Sequence, residues 1–315
     1  MEEKMSGTVG IACMAADAPS ALANIERAEQ LGIRAAWLTA GGLTSDSLTL
    51  FAAAAVRTRR ILLGTSIAQT WTRHPLLMAV QAATVAALAP GRFRLGIGPS
   101  HGPQMEPTWG IPYEKPLAHL RDYLAVLRPA LQRGEVHVEN RRYRVHAVLP
   151  KAPGVPVLIS ALREKSFRLA GELTDGAITW VTPITFVQQR AVPAIAEGAR
   201  AAGRPTPPII FHAPVCLTDR PQEARAAARQ QLALYPRLPN YAAMFRAAGY
   251  EPENDSWTDA MIDAVVISGD ETTVANRLRA LFAQGVSEVI VHPIGAPSDP
   301  AGSTERAWQL VASLQ

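Results

Sequence analysis

Short apolar segments alternate with longer segments of helical period along most of this chain. The apolar segments carry few charges, and several follow a glycine that ends the preceding helical segment. Segments of this kind predict β-strands. The predicted strands are Thr8–Met14, Ala35–Thr39, Ile61–Ile67, Arg92–Ile97, Val155–Ile159, Gly176–Val181, Ile209–Leu217 and Glu288–His292.

Helices are predicted between the strands, from apolar residues at helical spacing. In one of them Leu22, Ile25 and Leu31 share a face, and Gly32 ends the segment. The region Gly98–Lys115 has no clear period. The predicted helices are Ser20–Leu31, Ser45–Arg57, Leu76–Ala89, Pro116–Gln132, Glu164–Leu173, Thr185–Ala202 (kinked or divided at Pro193), Gln222–Tyr235, Tyr241–Ala248, Glu271–Gln284 and Thr304–Leu314, and Val136–Val145 is predicted as a small hairpin.

The repeated order of strand and helix predicts a parallel barrel. A glycine stands at the turn from helix to strand at Gly32 and again at Gly285, as in repeated βα units. Eight units predict an α/β fold of the (β/α)8, or TIM-barrel, type, in a single domain over residues 1–315 with insertions after strands 4 and 7. A doubly wound sheet is the alternative, but the Gly-x-Gly-x-x-Gly motif that it predicts after an early strand is absent.

Composition and charge mainly exclude classes of protein and of ligand. The 315 residues are 48% hydrophobic and 18% charged, which is typical of a globular chain and excludes disorder. The net charge of +4 is spread without a long basic run, so nucleic-acid binding is not expected, whereas a small anionic ligand fits.

The cysteines and the first residues of the chain indicate the cellular compartment in which the protein is expected. Cys13 and Cys216 stand far apart, without metal or disulfide spacing, and are expected to be reduced thiols of a cytoplasmic protein. No apolar signal segment follows the acidic start at Met1. The uncharged stretch between Pro75 and Pro90 is too short to span a bilayer, so no membrane association is expected.

Candidate site residues follow from the rule that active sites of parallel barrels lie at the carboxyl ends of the strands. The candidate loops hold aromatic, hydroxyl and imidazole groups but few carboxylates, no Gly-x-Ser-x-Gly elbow and no His-Glu-x-x-His motif. Such a site needs a cofactor for difficult chemistry, and no metal is predicted. The loops are Cys13–Ala16, Thr39–Ala40, Ser66–Arg73, Gly98–His101, Ser160–Lys165, Trp180–Thr182 and His292–Pro293.

Two of these loops indicate an anionic cofactor. Ser160–Arg163 leads into a helix, whose free N–H groups and the guanidinium of Arg163 suit a phosphate, although an ordinary loop with a solvated arginine fits as well. Gly96 and Gly98 lack side chains and allow a flat ring to approach, although simple turn chemistry also explains them.

Three runs of sequence resemble those of the luciferase-like flavin and deazaflavin oxidoreductases. They are Leu63–Pro75, Leu88–His101 and Leu169–Trp180, and the resemblance extends from about Val9 to the last helix. Within them the tetrapeptides Thr-Arg-His-Pro and Gly-Pro-Ser-His and the run Asp-Gly-Ala-Ile-Thr-Trp most resemble the branch that uses coenzyme F420.

The resemblance implies a (β/α)8 barrel, commonly a homodimer, with the deazaflavin ring at the barrel mouth. It implies a bulge after the third strand, often with a non-proline cis peptide, behind the ring, at Ser66–Ala68. It also implies a phosphate site in the loop and helix after the fifth strand. Thr39 stands where relatives often have histidine or aspartate, which argues against a histidine-assisted luciferase mechanism. The loop after the fifth strand lacks the glycine often seen in relatives.

The resemblance thus predicts hydride transfer between deazaflavin C5 and a small organic substrate, an activated C=C, C=N or C=O group or an alcohol. The enzyme alternative is an FMN-dependent luciferase-like monooxygenase, and the alternative of another class is a cofactor-binding barrel without turnover. The predicted cofactor-binding residues are Thr39, Ser66, Ile67, Ala68, Gly98, Pro99, Ser100, Ser160, Ala161, Leu162, Arg163 and Trp180.

His101 is the predicted catalytic proton donor, because the ordinary pKa of histidine near 6.5 suits proton transfer at neutral pH. A purely structural or ring-positioning role for His101 is the alternative. His292 is a second donor candidate, and the predicted substrate-pocket residues are Trp71, Trp109 and His292.

Overall fold

Parallel strands from both ends of the chain close into a barrel in the computed structural model, which describes residues 7–39, 43 and 45–315. Ala40, part of one candidate loop, and the acidic start at Met1 lie outside the described residues. The strands are β1 (Thr8–Ala12), β2 (Ala35–Leu38), β3 (Leu62–Thr65), β4 (Ala68–Gln69), β5 (Phe93–Gly98), β6 (Glu135–Glu139), β7 (Arg144–Val148), β8 (Val157–Ser160), β9 (Gly176–Trp180), β10 (Ile209–Leu217), β11 (Ile267–Gly269) and β12 (Glu288–Pro293).

The pairing of the strands confirms the predicted (β/α)8 barrel. The order β10-β12-β1-β2-β3-β5-β8-β9 is parallel throughout, and pairing of β9 with β10 closes it. Strand β4 continues the third barrel strand beyond a break, β11 pairs with the end of β10, and β6 and β7 form the predicted antiparallel hairpin.

Helices occupy the connections, close to the predicted positions. The insertion after the fourth barrel strand contains α4, α5 and the hairpin, and the one after the seventh contains α9 to α11 with β11. The helices are α1 (Ala18–Gln30), α2 (Ser47–Arg57), α3 (Pro75–Leu88), α4 (Gly102–Trp109), α5 (Pro116–Arg133), α6 (Glu164–Leu173), α7 (Ile184–Phe186), α8 (Val192–Ala201), α9 (Pro221–Gln231), α10 (Pro239–Ala247), α11 (Asp259–Val265), α12 (Glu271–Phe282) and α13 (Pro300–Ser313).

Two helices in the structure are absent from the sequence prediction. Helix α4 carries Pro103 and Pro107, which obscured its period, yet Pro103 lies in the first turn, where no donor N–H is needed. Helix α11 is short and begins where the Thr258 hydroxyl accepts a hydrogen bond from the Met261 N–H. The predicted division near Pro193 is present, as a π-helical stretch between α7 and α8.

The amino-terminal end of the barrel is closed by a buried ion pair against an indole ring. Glu288 accepts a hydrogen bond from Trp37 Nε1 at 2.9 Å and another from Arg94 Nη2 at 3.0 Å. The Arg94 guanidinium lies over the indole, 4.4 Å from the ring centre. Gly64 makes room for this ring, since a Cβ there would lie 2.5 Å from it. This layer therefore seals the barrel beneath the apolar residues of its interior.

Glu288→Ala is expected to lower the free energy of unfolding by about 3–5 kcal/mol, because Arg94 would stay buried without its carboxylate. The two side chains are only 9% and 18% exposed. The matched control is Glu305→Ala, which removes the exposed partner of Arg27 and should cost less than about 1 kcal/mol. Urea unfolding at pH 7 compares the two variants, and equal small losses would contradict the sealing role.

Candidate active site

A cavity of about 1020 Å³ opens at the carboxyl ends of the barrel strands. Its walls come from residues that follow or end most of the barrel strands and from the insertion after the seventh strand, including Tyr235, Tyr241 and Met244. Ligand pockets usually measure about 300–1,000 Å³. This cavity therefore has room for a cofactor together with a small substrate.

The third barrel strand contributes a bulge to the cavity wall. Pairing of β3 with β5 stops before Ser66, the Ser66–Ile67 peptide bond is cis, and pairing with β5 resumes at Ala68. Thr39 Oγ1 donates to the Ser66 carbonyl at 2.9 Å, so the end of β2 supports the bulge. The Thr39 hydroxyl is therefore hydrogen-bonded to the backbone of the bulge. Ser66 and Ile67 line the cavity, whereas Ala68 is fully buried within the sheet.

Gly98 leaves a gap beside this bulge. A Cβ at Gly98 would lie 2.2 Å from Ser160 Oγ and 3.1 Å from Ile67 Cγ1. Any side chain at this position would therefore displace the Ser160 hydroxyl or the bulge. Gly98 itself sits behind the cavity surface, and its missing side chain lets Ile67 and Ser160 form a continuous wall.

Ser100 and His101 connect β5 to α4. Ser100 has a left-handed backbone (φ 59°), which Tyr113 supports by donating its hydroxyl hydrogen to the Ser100 carbonyl at 2.8 Å. His101 lies edge-on to Tyr235 and Tyr241, with ring centres 6.2 and 5.7 Å away. Burial lowers the pKa of His101, so its ring is neutral at pH 7. The expectation of an ordinary histidine pKa at this position is therefore corrected.

A second imidazole cluster lies between β9, β10 and β12. The His212 ring centre is 4.4 Å from that of Trp180 and 5.4 Å from that of His292. Burial lowers the pKa of His212 well below its ordinary value, and a charge on His292 would lower it further. Burial also lowers the pKa of His292 to about 4, so both rings are neutral at pH 7.

Each of these neutral rings carries one buried nitrogen that could accept or donate a further hydrogen bond. His212 Nε2 and His292 Nδ1 are both buried, and neither has a hydrogen-bond partner within the described part of the chain. Buried polar atoms normally find a partner. A polar atom of a ligand in the cavity would supply one.

His212 was missed because it lies inside a strand. The predicted and observed strand Ile209–Leu217 continues past His212, since its last residues pair with β11. The prediction that site residues lie at the carboxyl ends of the strands therefore did not include His212. Residue parity is the signal that finds it: Ile210 faces the barrel interior, and every second residue faces the same side.

The loop from β8 into α6 brings two cationic residues and the acidic residue Glu164 to the cavity. The N–H groups of Leu162 and Arg163, in the loop itself, donate to Ser166 Oγ at 3.1 Å each. Glu164 and Lys165 are the first two residues of α6, and their N–H groups have no acceptor in the part of the chain that the structure describes. The side chains of Arg163 and Lys165 line the cavity beside them.

Most of the predicted site residues meet at this cavity, but two tryptophans do not. Trp71 stacks on His119 of α5, with ring centres 3.7 Å apart. Trp109 ends α4 and is 42% exposed on the surface. The predicted residues that line the cavity are Thr39, Ser66, Ile67, Pro99, Ser100, His101, Ser160, Ala161, Leu162, Arg163, Trp180 and His292.

Within residues 7–39, 43 and 45–315, no group of three or more His, Cys, Asp or Glu side chains is arranged to hold a metal ion. No helix formed by these residues combines the length and apolar character needed to cross a membrane.

Solved structures of similar fold include proteins that use or bind two different cofactors, coenzyme F420 and FMN. The coenzyme F420-dependent tetrahydromethanopterin reductase of Methanopyrus kandleri superposes with a TM-score of 0.75 at 23% identity, covering 98% of this chain and 97% of that one. The oxygenating constituent of 3,6-diketocamphane monooxygenase of Pseudomonas putida, in complex with FMN, gives a TM-score of 0.73 at 19% identity and covers 97% of each chain. At these identities the likeness is one of fold.

Sequence comparison extends the likeness to the family. The 5,10-methylenetetrahydromethanopterin reductase of Methanopyrus kandleri is 27% identical over 340 residues, covering 96% of this chain and 95% of the relative. A Mycobacterium tuberculosis protein named, provisionally, a coenzyme F420-dependent oxidoreductase is 28% identical over 320 residues, covering 87% and 88%. Residues 5–288 match the luciferase-like monooxygenase family model. This chain therefore belongs to the luciferase-like monooxygenase family.

Proposed function

We propose that this chain is a coenzyme F420-dependent oxidoreductase, which transfers a hydride between deazaflavin C5 and a small organic substrate. The substrate carries an activated C=C, C=N or C=O group, or is an alcohol. The observation that carries the proposal is one cavity that is lined both by cationic residues at the start of α6 and by neutral imidazoles beside an aromatic ring. The name of the Mycobacterium tuberculosis relative supports the same cofactor class.

The cavity residues fit this cofactor in two respects. The wall at Ile67 and Ser160 is kept continuous by the absence of a side chain at Gly98, which suits a flat ring. The N–H groups of Glu164 and Lys165 at the start of α6, with the Arg163 side chain, suit a phosphate. These residues would hold the two ends of the cofactor.

Coenzyme F420, when bound, supplies a two-electron carrier. The protein residues then orient the substrate and exclude water from it, with Trp180, Tyr235 and Tyr241 as apolar walls. His212 Nε2 and His292 Nδ1 bind a polar atom of the substrate, because neither has a hydrogen-bond partner among the described residues.

His101 exchanges the proton that accompanies hydride transfer. It is partly exposed at the cavity wall, where it can equilibrate with water, whereas His212 is only 3% exposed. Its neutral form accepts a proton from an alcohol, and its protonated form returns one in the opposite direction.

The cofactor assignment predicts saturable binding of oxidised coenzyme F420 to the purified chain, with much weaker binding of FMN. Parallel fluorescence titrations measure both. Tighter binding of FMN would replace the assignment by a flavin-dependent monooxygenase. A folded chain that binds neither would be a barrel without this catalytic role.

Arg163→Ala is expected to weaken F420 binding about tenfold, because one charged hydrogen bond contributes about 1.5 kcal/mol. The matched control is Arg168→Ala on the same helix, which pairs with Glu197 outside the cavity. The same titration compares the two variants. Equal affinities in both would remove Arg163 from the proposed phosphate site.

His292→Gln is expected to flatten the dependence of stability on pH. The pKa of His292 is about 4 in the fold and about 6.5 when unfolded, so the unfolded chain alone takes up the proton between these values. Stability therefore falls as the pH drops through this window, by up to about 2 kcal/mol between pH 7 and pH 5 through this residue.

Urea unfolding at pH 7 and pH 5 measures this loss in wild type and variant. Tyr235→Phe, in the same cavity, is the control: burial raises the pKa of the Tyr235 phenol, so it does not titrate in this range. A wild-type loss that persists undiminished in His292→Gln would show that His292 is not held neutral.

A further inference from the structure

The β6–β7 hairpin carries a pair of histidines that are not part of the cavity lining. His137 and His146 lie directly opposite each other in the antiparallel register, and each side chain is 57% exposed. The opposite face of the hairpin is anchored, since Val136 and Val145 are buried in the main core. The two imidazoles are therefore presented to solvent from a fixed backbone.

The contact between the two rings joins like atoms. Nδ1 of His137 lies 3.2 Å from Nδ1 of His146. Two lone pairs at this distance repel each other unless a proton or a metal ion lies between them. Zinc binds imidazole nitrogen at about 2.0–2.1 Å, so two nitrogens on a tetrahedral zinc are about 3.3 Å apart. The observed separation matches that spacing.

Carboxylates hold the other nitrogen of each ring. His137 Nε2 is 2.7 Å from Glu135 Oε1, and His146 Nε2 is 3.3 Å from Glu139 Oε1. A carboxylate acceptor at Nε2 keeps the proton there and leaves the Nδ1 lone pair free in the neutral ring. Metal-bound histidines usually have such a carboxylate behind them.

Local charge also favours a cation. Glu135, Glu139 and Arg144 lie on the exposed face with the two histidines, and Arg144 stands opposite Glu139 in the register. Two carboxylates against one guanidinium leave this face with a net negative charge when the imidazoles are neutral.

We propose that His137 and His146 form a bidentate surface site for a divalent transition-metal ion of the Zn²⁺ or Cu²⁺ class. The two Nδ1 atoms are the protein ligands, and water completes the coordination. Glu135 and Glu139 orient the ligands through Nε2. The site is separate from the proposed cofactor cavity and does not depend on the proposed oxidoreductase function.

Calorimetric titration of the untagged full-length chain with Zn²⁺ tests the site at neutral pH. The expected result is saturable binding of one Zn²⁺ per chain. His137→Gln and His146→Gln should each weaken it at least about tenfold, since removing even an outer carboxylate commonly costs that much. Glu135→Gln should weaken it about tenfold. Val148→Thr, on the same hairpin face, is the matched control and should bind as wild type.

Copper provides an independent measurement of the ligands. Cu²⁺ binds nitrogen sites more tightly than Zn²⁺ does. Its electron paramagnetic resonance spectrum should show coupling to two nitrogens in wild type and to one in each single histidine variant. Circular dichroism confirms that the variants fold. Absence of saturable Zn²⁺ binding in wild type, or undiminished binding in the His137→Gln/His146→Gln double variant, overturns the proposal.

Discussion

Closing parallel strands into a barrel forces every second side chain to point inward, and the rest of this molecule depends on that constraint. The amino-terminal layer uses its inward positions for Trp37, Arg94 and Glu288, which close the barrel. The middle layer is apolar, with residues such as Ile178 and Ile290. Only the last inward positions of the strands remain free to carry polar groups toward the cavity.

The same constraint gives the cavity two parts of different charge, one with neutral imidazoles and one with cationic residues. Residues inside the strands, such as His212, are surrounded by protein and kept neutral by burial. Residues of a connecting loop, such as Arg163, instead lie at the start of a helix on the lining of the cavity. The cavity therefore offers separate places for an anionic group and for a neutral reacting group.

The insertion after the fourth barrel strand supports one wall and also extends away from the cavity. Tyr113 holds the left-handed backbone of Ser100, and His119 stacks on Trp71 beneath the third-strand loop. Further along the same insertion, the hairpin places His137 and His146 on an exposed face. One inserted segment thus shapes the proposed cofactor site and carries the proposed metal site.

The sequence by itself determined the barrel and the part of the cavity lining that lies at the strand ends, because the succession of strands and their ends depend on local pattern. Helix α6 and strand β10 have the bounds that the pattern predicts.

Tertiary structure decided the features that local pattern does not encode. The cation–π contact of Arg94 with Trp37 and the ion pair of Arg94 with Glu288 join residues far apart in the chain. His212 lines the cavity because it faces the same side of its strand as Ile210, toward the barrel interior. Trp71 turns away from the cavity because α5 offers it a stacking partner, and the pKa values of the histidines depend on burial that exists only after the strands close.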